Sequence, residues 1–68
     1  MITVTLIGPD NIQSAVTIRG DATVRDVVTT KYDLFGRLVK RNGTYVSPFT
    51  TPVIDGDRLT VEEVQYKD

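Results

Sequence analysis

Residues 2–28 have the sequence ITVTLIGPDNIQSAVTIRGDATVRDVV, and the spacing of their apolar side chains changes once along the stretch. Up to residue 18, β-branched and other apolar residues alternate with polar ones, a period of two that predicts half-buried strands. Gly8-Pro9-Asp10-Asn11 interrupts this alternation with four residues that favour turns. This part of the chain therefore predicts an antiparallel hairpin of strands 2–7 and 12–19.

After residue 20 the apolar period lengthens to that of a helix. Three valines spaced i, i+3 and i+4 predict a short helix over about residues 23–31. Thr23 is the expected N-cap, and Asp26 stands where a capping box has its acid, although Glu or Gln is usual there. Because β-branched residues have low helix propensity, we expect this helix to depend on packing its valine face against a sheet. That face consists of Val24, Val27 and Val28.

The second half of the chain predicts three further strands joined by turns. Residues 38–41 form the first of these, and Asn42-Gly43 predicts a tight hairpin, because that turn needs a positive φ at both central positions. The return strand begins at residues 45–46. Two prolines within residues 47–52 exclude a central strand there and predict an irregular crossing over one end of the sheet.

The last turn and the last strand follow this crossing. Asp55-Gly56-Asp57 predicts a turn, and from turn preference alone we interpret its two acids as turn residues rather than as a calcium site. Residues 59–64 predict the final strand, with Leu59 and Val61 directed inward.

Large apolar side chains also occur between the predicted elements. We expect Tyr32, Leu34 and Phe35 to continue the buried edge of the helix until Gly36 ends the segment. Phe49 is expected to plug the core beneath its loop, with an exposed recognition residue as the alternative.

Length and composition limit the classes of function. With 68 residues the chain predicts one domain, residues 1–68, whose core can hardly spare a substrate pocket of roughly 300 Å³. It contains no Cys and no His, and it has no nucleophile with an adjacent base and no glycine-rich phosphate loop. Its uninterrupted apolar runs do not exceed two residues. We therefore expect a non-enzymatic, cytoplasmic domain with no cofactor and no membrane contact.

The predicted elements occur in the order strand, strand, helix, strand, strand, strand. This ββαβββ order predicts an α+β domain in which one helix packs on a mixed sheet of four to five strands. We expect the last strand to complete the sheet by pairing parallel with the first strand. This is the arrangement of the ubiquitin-like β-grasp fold.

Two segments resemble the small sulfur carriers of thiamin and molybdopterin synthesis. Residues 20–28 resemble the helix start of that family, residues 55–61 resemble its last turn and strand, and Asn42-Gly43 lies where the family also has a hairpin. The resemblance implies the β-grasp fold. The carriers act through a C-terminal Gly-Gly that is adenylated and converted to a thiocarboxylate, whereas this sequence has Lys67-Asp68 at those positions. The resemblance therefore implies a degenerate carrier, or one whose longer precursor is trimmed.

Residues 46–61 are also similar to TGS domains, which occur in RNA-associated GTPases, stringent-response enzymes and threonyl-tRNA synthetases. The similarity rests on Pro48, on Thr51-Pro52 and on the Asp55-Gly56-Asp57 turn. It implies a regulatory or RNA-proximal binding module. TGS domains are embedded in long chains, whereas we expect this chain to be complete.

Basic and aromatic residues gather in the middle of the chain and acidic residues near its end. We predict that the solvent face of the sheet binds another protein, because charge complementarity and exposed aromatic side chains characterise binding surfaces. The candidate residues are Arg37, Lys40, Arg41, Tyr45 and Glu62. The alternative interpretation is an ordinary solvated surface whose opposite charges pair across neighbouring strands.

Two further expectations concern the partners. RNA is a less expected partner than protein, because the formal net charge is -1. The strand edge at residues 12–19 has no predicted neighbour and offers its backbone to a second copy, so we expect a monomer or a weak homodimer.

Overall fold

The computed structural model describes residues 1–63. Its elements are β1 (Ile2–Ile7), β2 (Gln13–Ile18), α1 (Val24–Val28), β3 (Arg37–Arg41), β4 (Thr44–Tyr45) and β5 (Arg58–Glu63). The strands form one sheet in the order β2-β1-β5-β3-β4. Strand β1 pairs parallel with β5, and the other pairs are antiparallel. The prediction of a small α+β domain with one short helix and a mixed sheet is confirmed.

The described residues leave out the end of the chain. Val64, to which the last strand was predicted to extend, lies outside them, and so does the Lys67-Asp68 terminus. Within residues 1–63, no helix has both the length and the apolar character needed to cross a membrane.

The β1–β2 hairpin has the predicted turn. Ile2 pairs with Ile18 and Ile7 with Gln13, so the alternating residues Val4, Leu6 and Val16 fall together on one face and are buried. Gly8 N–H donates to Ile12 C=O at 3.1 Å and closes the turn. A Cβ at Gly8 would overlap the Tyr32 hydroxyl, so a larger residue at this position would force the Tyr32 side chain to shift.

Helix α1 begins where the sequence predicts and ends earlier. Thr23 Oγ1 accepts from Asp26 N–H at 3.3 Å and Asp26 Oδ2 accepts from Thr23 N–H at 3.0 Å, so an aspartate completes the capping box. The regular helix ends at Val28 rather than near Lys31. The hydroxyls of Thr29 and Thr30 donate to helix carbonyls at 2.7 Å and compete with the backbone for them.

The core lies between α1 and one face of the sheet. The buried apolar residues are Val4, Leu6, Val16, Ala22, Val24, Val27, Val28, Val39, Val53, Leu59 and Val61. Phe49, Tyr32 and Leu34 are half-buried against this core, as predicted. The prediction for Phe35 is wrong, because its side chain is 90% exposed. Leu34 packs inward, and the next side chain points away from the core.

Among residues 1–63, no helix covers the opposite face of the sheet. Side chains alternate between the two faces of a strand, so the neighbours of each buried strand residue point to this side. We call it the outer face, and no side chain on it is buried. It consists of Thr3, Thr5, Ile7, Gln13, Ala15, Thr17, Leu38, Lys40, Tyr45, Arg58, Thr60 and Glu62.

Candidate interaction surface

The five predicted site residues divide between the two faces of the sheet. Val39 is buried, so its neighbours Leu38 and Lys40 lie on the outer face, whereas Arg37 and Arg41 lie on the core side. Tyr45 pairs with Lys40, and Glu62 pairs with Leu38, which puts both on the outer face. The prediction that all five residues lie on the solvent face of the sheet is therefore wrong, because successive side chains of a strand point to opposite faces.

Three of the predicted residues form a connected triad on the outer face. The Tyr45 hydroxyl donates to Glu62 Oε1 at 2.6 Å, and Lys40 Nζ lies 3.2 Å from Glu62 Oε2. Lys40 Nζ also lies 4.9 Å from the centroid of the Tyr45 ring, within the range of a cation–π contact. Glu62 therefore uses both carboxylate oxygens to hold one cation and one phenol in fixed positions.

These contacts shift the titration of all three groups. The hydrogen bond from Tyr45, followed by that from Lys40, lowers the pKa of Glu62. The same bond raises the pKa of Tyr45, because the phenol must stay protonated to donate. The carboxylate of Glu62 also raises the pKa of Lys40. At neutral pH the triad is thus a formally neutral ion pair with a phenol donor.

Apolar surface lies next to the triad. Leu38 is 44% exposed and Tyr45 is 56% exposed. Along the same row of the sheet, Ile7 is half-buried and pairs with Thr60, which in turn pairs with Lys40. The arrangement combines an aliphatic side chain, an oriented aromatic ring and a neutralised charge pair on one exposed surface.

A depression of about 340 Å³ borders this patch. It is lined by Pro9 and Asn11 from the first turn and by residues 60–63 of β5. Strand β1 pairs with β5 only as far as Thr60, so beyond that residue β5 has β3 as its one neighbour among the described strands. This end of the outer face therefore presents both a recess and a backbone edge.

Arg37 acts within the fold rather than on the outer face. Its Nη1 donates to Asp33 C=O at 2.6 Å, and its Nη2 lies 3.2 Å from Glu63 Oε1. The guanidinium carbon lies 5.9 Å from the centroid of the Tyr32 ring. The side chain is 24% exposed, and within residues 1–63 its buried Nε has no hydrogen-bond partner. These contacts link the segment after α1 to the end of β5.

Arg41 contacts the buried carboxylate of Asp57. Arg41 Nε lies 3.0 Å from Asp57 Oδ2, and that oxygen also accepts from Ile54 N–H at 2.8 Å. The other oxygen accepts from Asn42 Nδ2 at 3.2 Å. Asp57 is 6% exposed, so interpreting it as an ordinary turn residue missed its main role. The Asp-Gly-Asp pattern predicts only a turn, and nothing in it separates the exposed Asp55 from the buried Asp57.

Comparison with known proteins does not assign this chain to a family. No protein-family model matches the chain. No curated protein matches its sequence. The resemblance to the sulfur carriers and to TGS domains therefore stays a prediction that rests on the residues quoted above.

Proposed function

We propose that this chain is a non-catalytic, ubiquitin-like module of the β-grasp type whose outer face binds another protein. The topology supports the β-grasp assignment: the parallel β1–β5 pair has β2 on one side and the β3–β4 hairpin on the other, and helix α1 follows the β1–β2 hairpin. In this proposal the helix and the core hold the sheet in place. The outer face makes the contact.

One observation carries the proposal, namely the exposed Leu38 and Tyr45 beside the ordered Lys40–Glu62 pair. Tyrosine is enriched among residues that dominate binding energy, because it contributes a large apolar area and a polar tip. Here its ring is already held by Glu62 and Lys40, so a partner loses little side-chain entropy in ordering it. The patch is therefore preorganised.

The charge pairing favours a protein partner over RNA. Binding to RNA through the basic residues predicted from the sequence needs cations that are available to phosphates. Lys40, Arg37 and Arg41 instead form ion pairs with Glu62, Glu63 and Asp57 respectively. A phosphate would have to displace three carboxylates of the same chain.

A pair of matched double variants tests the proposal. Leu38→Ser combined with Tyr45→Ser removes the apolar part of the patch. Ile12→Ser combined with Ile54→Ser removes similarly exposed apolar side chains elsewhere, since these residues are 59% and 62% exposed. The tagged wild type captures a protein from extract of the source cells, and the dissociation constant of that purified protein is then measured for all three chains.

We expect the outer-face variant to weaken binding at least about tenfold and the control to bind like the wild type. Equal binding by all three chains would contradict the proposal. Recovery of RNA that is released between about 50 and about 200 mM salt would support the TGS-like alternative instead. Capture of an adenylating enzyme would support the carrier alternative.

A further inference from the structure

Phe35 is the most exposed aromatic side chain among residues 1–63, although so small a domain has few large apolar side chains with which to form its core. It lies on the helix side of the molecule, away from the outer face, and borders a groove of about 510 Å³. Half-buried Leu34 and Phe49 form the apolar floor of this groove. A large exposed apolar side chain next to other apolar side chains in a groove is typical of a surface that contacts another molecule.

Three polar side chains form another side of the groove. Arg25, Thr29 and Asp33 are spaced four residues apart and all line it. A hydrogen-bonded turn follows the end of α1, in which Tyr32 N–H donates to Val28 C=O at 2.8 Å. Asp33 comes directly after this turn and lines the groove together with Arg25 and Thr29. Within the described part of the chain, neither Arg25 nor Asp33 forms an ion pair. The lining of the groove thus includes one cation and one anion that have no ion-pair partner among residues 1–63.

We propose that a second copy of this chain covers the groove through a two-fold contact. With a two-fold axis near Thr29, the Arg25, Thr29 and Asp33 side chains of the two copies face each other in opposite directions. Arg25 of each copy then lies against Asp33 of the other. Because the contact is isologous, this pair forms twice. Phe35 of each copy then packs on the Leu34–Phe49 floor of the other. The charges and the apolar surfaces of one groove complement those of an identical groove.

The size of the contact predicts its strength. Seven of the described residues line the groove, whereas a stable interface uses about 20–30 residues on each side. The dimer is therefore weak and forms at high protein concentration. Since the groove and the outer face lie on opposite sides of the sheet, dimerisation leaves both outer faces free and presents them as a bivalent surface.

This contact differs from pairing at the β2 edge. Gln13–Ile18 is indeed an edge strand, and none of its residues is charged. Pairing there depends on backbone hydrogen bonds and is insensitive to Arg25, Asp33 and Phe35. The two modes of association are thus separable by substitution.

Sedimentation of the whole chain between about 10 µM and about 1 mM tests the proposal, since this range covers weak association. We expect the wild type to dimerise, and Phe35→Ser to weaken the dimer at least about tenfold. Arg25→Glu and Asp33→Lys each put like charges together at both contacts, so each is expected to be monomeric. Thermal unfolding verifies that the three variants are folded.

Mixing the two charge variants gives the decisive result. One Arg25→Glu chain and one Asp33→Lys chain restore both opposite-charge contacts, so the mixture is expected to form a heterodimer although neither chain dimerises alone. A wild type that stays monomeric up to about 1 mM would overturn the proposal. A dimer that all three single variants retain would also overturn it and would direct attention to the β2 edge.

Discussion

Replacing Asp57 by alanine is expected to remove about 3 kcal/mol of the free energy of unfolding. The change deletes the acceptor for Arg41 Nε, for Ile54 N–H and for Asn42 Nδ2 and leaves three donors in a site where Asp57 was 6% exposed. A hydrogen bond to a charged group contributes about 1.5–3 kcal/mol, and these three share one carboxylate and do not add fully. Arg41 is 23% exposed and keeps part of its hydration, which limits the loss.

A loss of this size is a large share of the stability of the domain. At about 0.05–0.15 kcal/mol per residue, the whole chain is expected to have about 3–10 kcal/mol. For a domain this small, the substitution corresponds to a decrease in Tm of about 10–25 °C. Urea unfolding followed by circular dichroism measures the change directly.

Asp55→Ala is the matched control, because Asp55 lies in the same turn, is exposed, and accepts one hydrogen bond, from Thr3 N–H at 2.8 Å. Its expected cost is about 1 kcal/mol. Combining Asp57→Ala with Arg41→Met removes both charges, and we expect the pair to be less destabilising than the sum by about 1–3 kcal/mol. Equal costs for the Asp55 and Asp57 variants would refute the assignment of Asp57 as the buried acceptor of this turn.

Three further predictions follow from single contacts. Gly8→Ala is expected to lower the free energy of unfolding, measured in urea, by about 1–3 kcal/mol, because the new Cβ meets the Tyr32 ring. The loss is expected to be smaller in a Tyr32→Ala background. An equal loss in that background would contradict this packing contact. Thr23→Ala is expected to cost about 1 kcal/mol through loss of the cap to Asp26 N–H, and an unchanged unfolding midpoint would count against the cap. The lowered pKa of Glu62 contributes stability that is present above the pKa of the unfolded state and is lost as pH falls through the pKa of the folded state. The raised pKa values of Tyr45 and Lys40 contribute stability that is present at lower pH and is lost as pH rises through their pKa values in the folded state. Unfolding measured from about pH 3 to about pH 11 should therefore show shallower losses at both extremes in Glu62→Gln than in the wild type, and superimposable profiles would argue against the triad.

Local sequence patterns predicted much of the fold because the spacing of apolar residues shows which side of each element is buried. The alternation of residues 2–18 and the valine spacing of residues 24–28 match β1, β2 and α1. The Asn42-Gly43 turn has φ values of 52° and 87°, as its residue types predict. In each case the pattern that predicts the element lies within a few residues along the chain, although α1 also packs its buried valines against the sheet.

The parts that the sequence did not predict depend on distant residues. Leu34 and Phe35 are adjacent and both apolar, so composition alone does not show which one packs against the core. Asp55 and Asp57 are equivalent as turn residues, and the approach of Arg41 at the end of β3 and of Asn42 in the next turn distinguishes Asp57 as a buried acceptor.

The candidate site was predicted in part for a similar reason. Grouping Arg37, Lys40 and Arg41 by their nearness in sequence overlooked the alternation of a strand, which sends Lys40 to the outer face and the two arginines to the core side. The link between Tyr45 and Glu62 spans 17 residues along the chain and requires the register of β3 with its two neighbours. That register is a tertiary property.

The dissociation constant of the purified partner for the wild type and for the Leu38→Ser/Tyr45→Ser double variant tests the central claim most directly. We expect the double variant to bind at least about tenfold more weakly while its unfolding midpoint stays near that of the wild type, because both side chains are exposed. The Ile12→Ser/Ile54→Ser control should bind with the affinity of the wild type. Unchanged affinity of the double variant would contradict the assignment of the outer face as the binding surface.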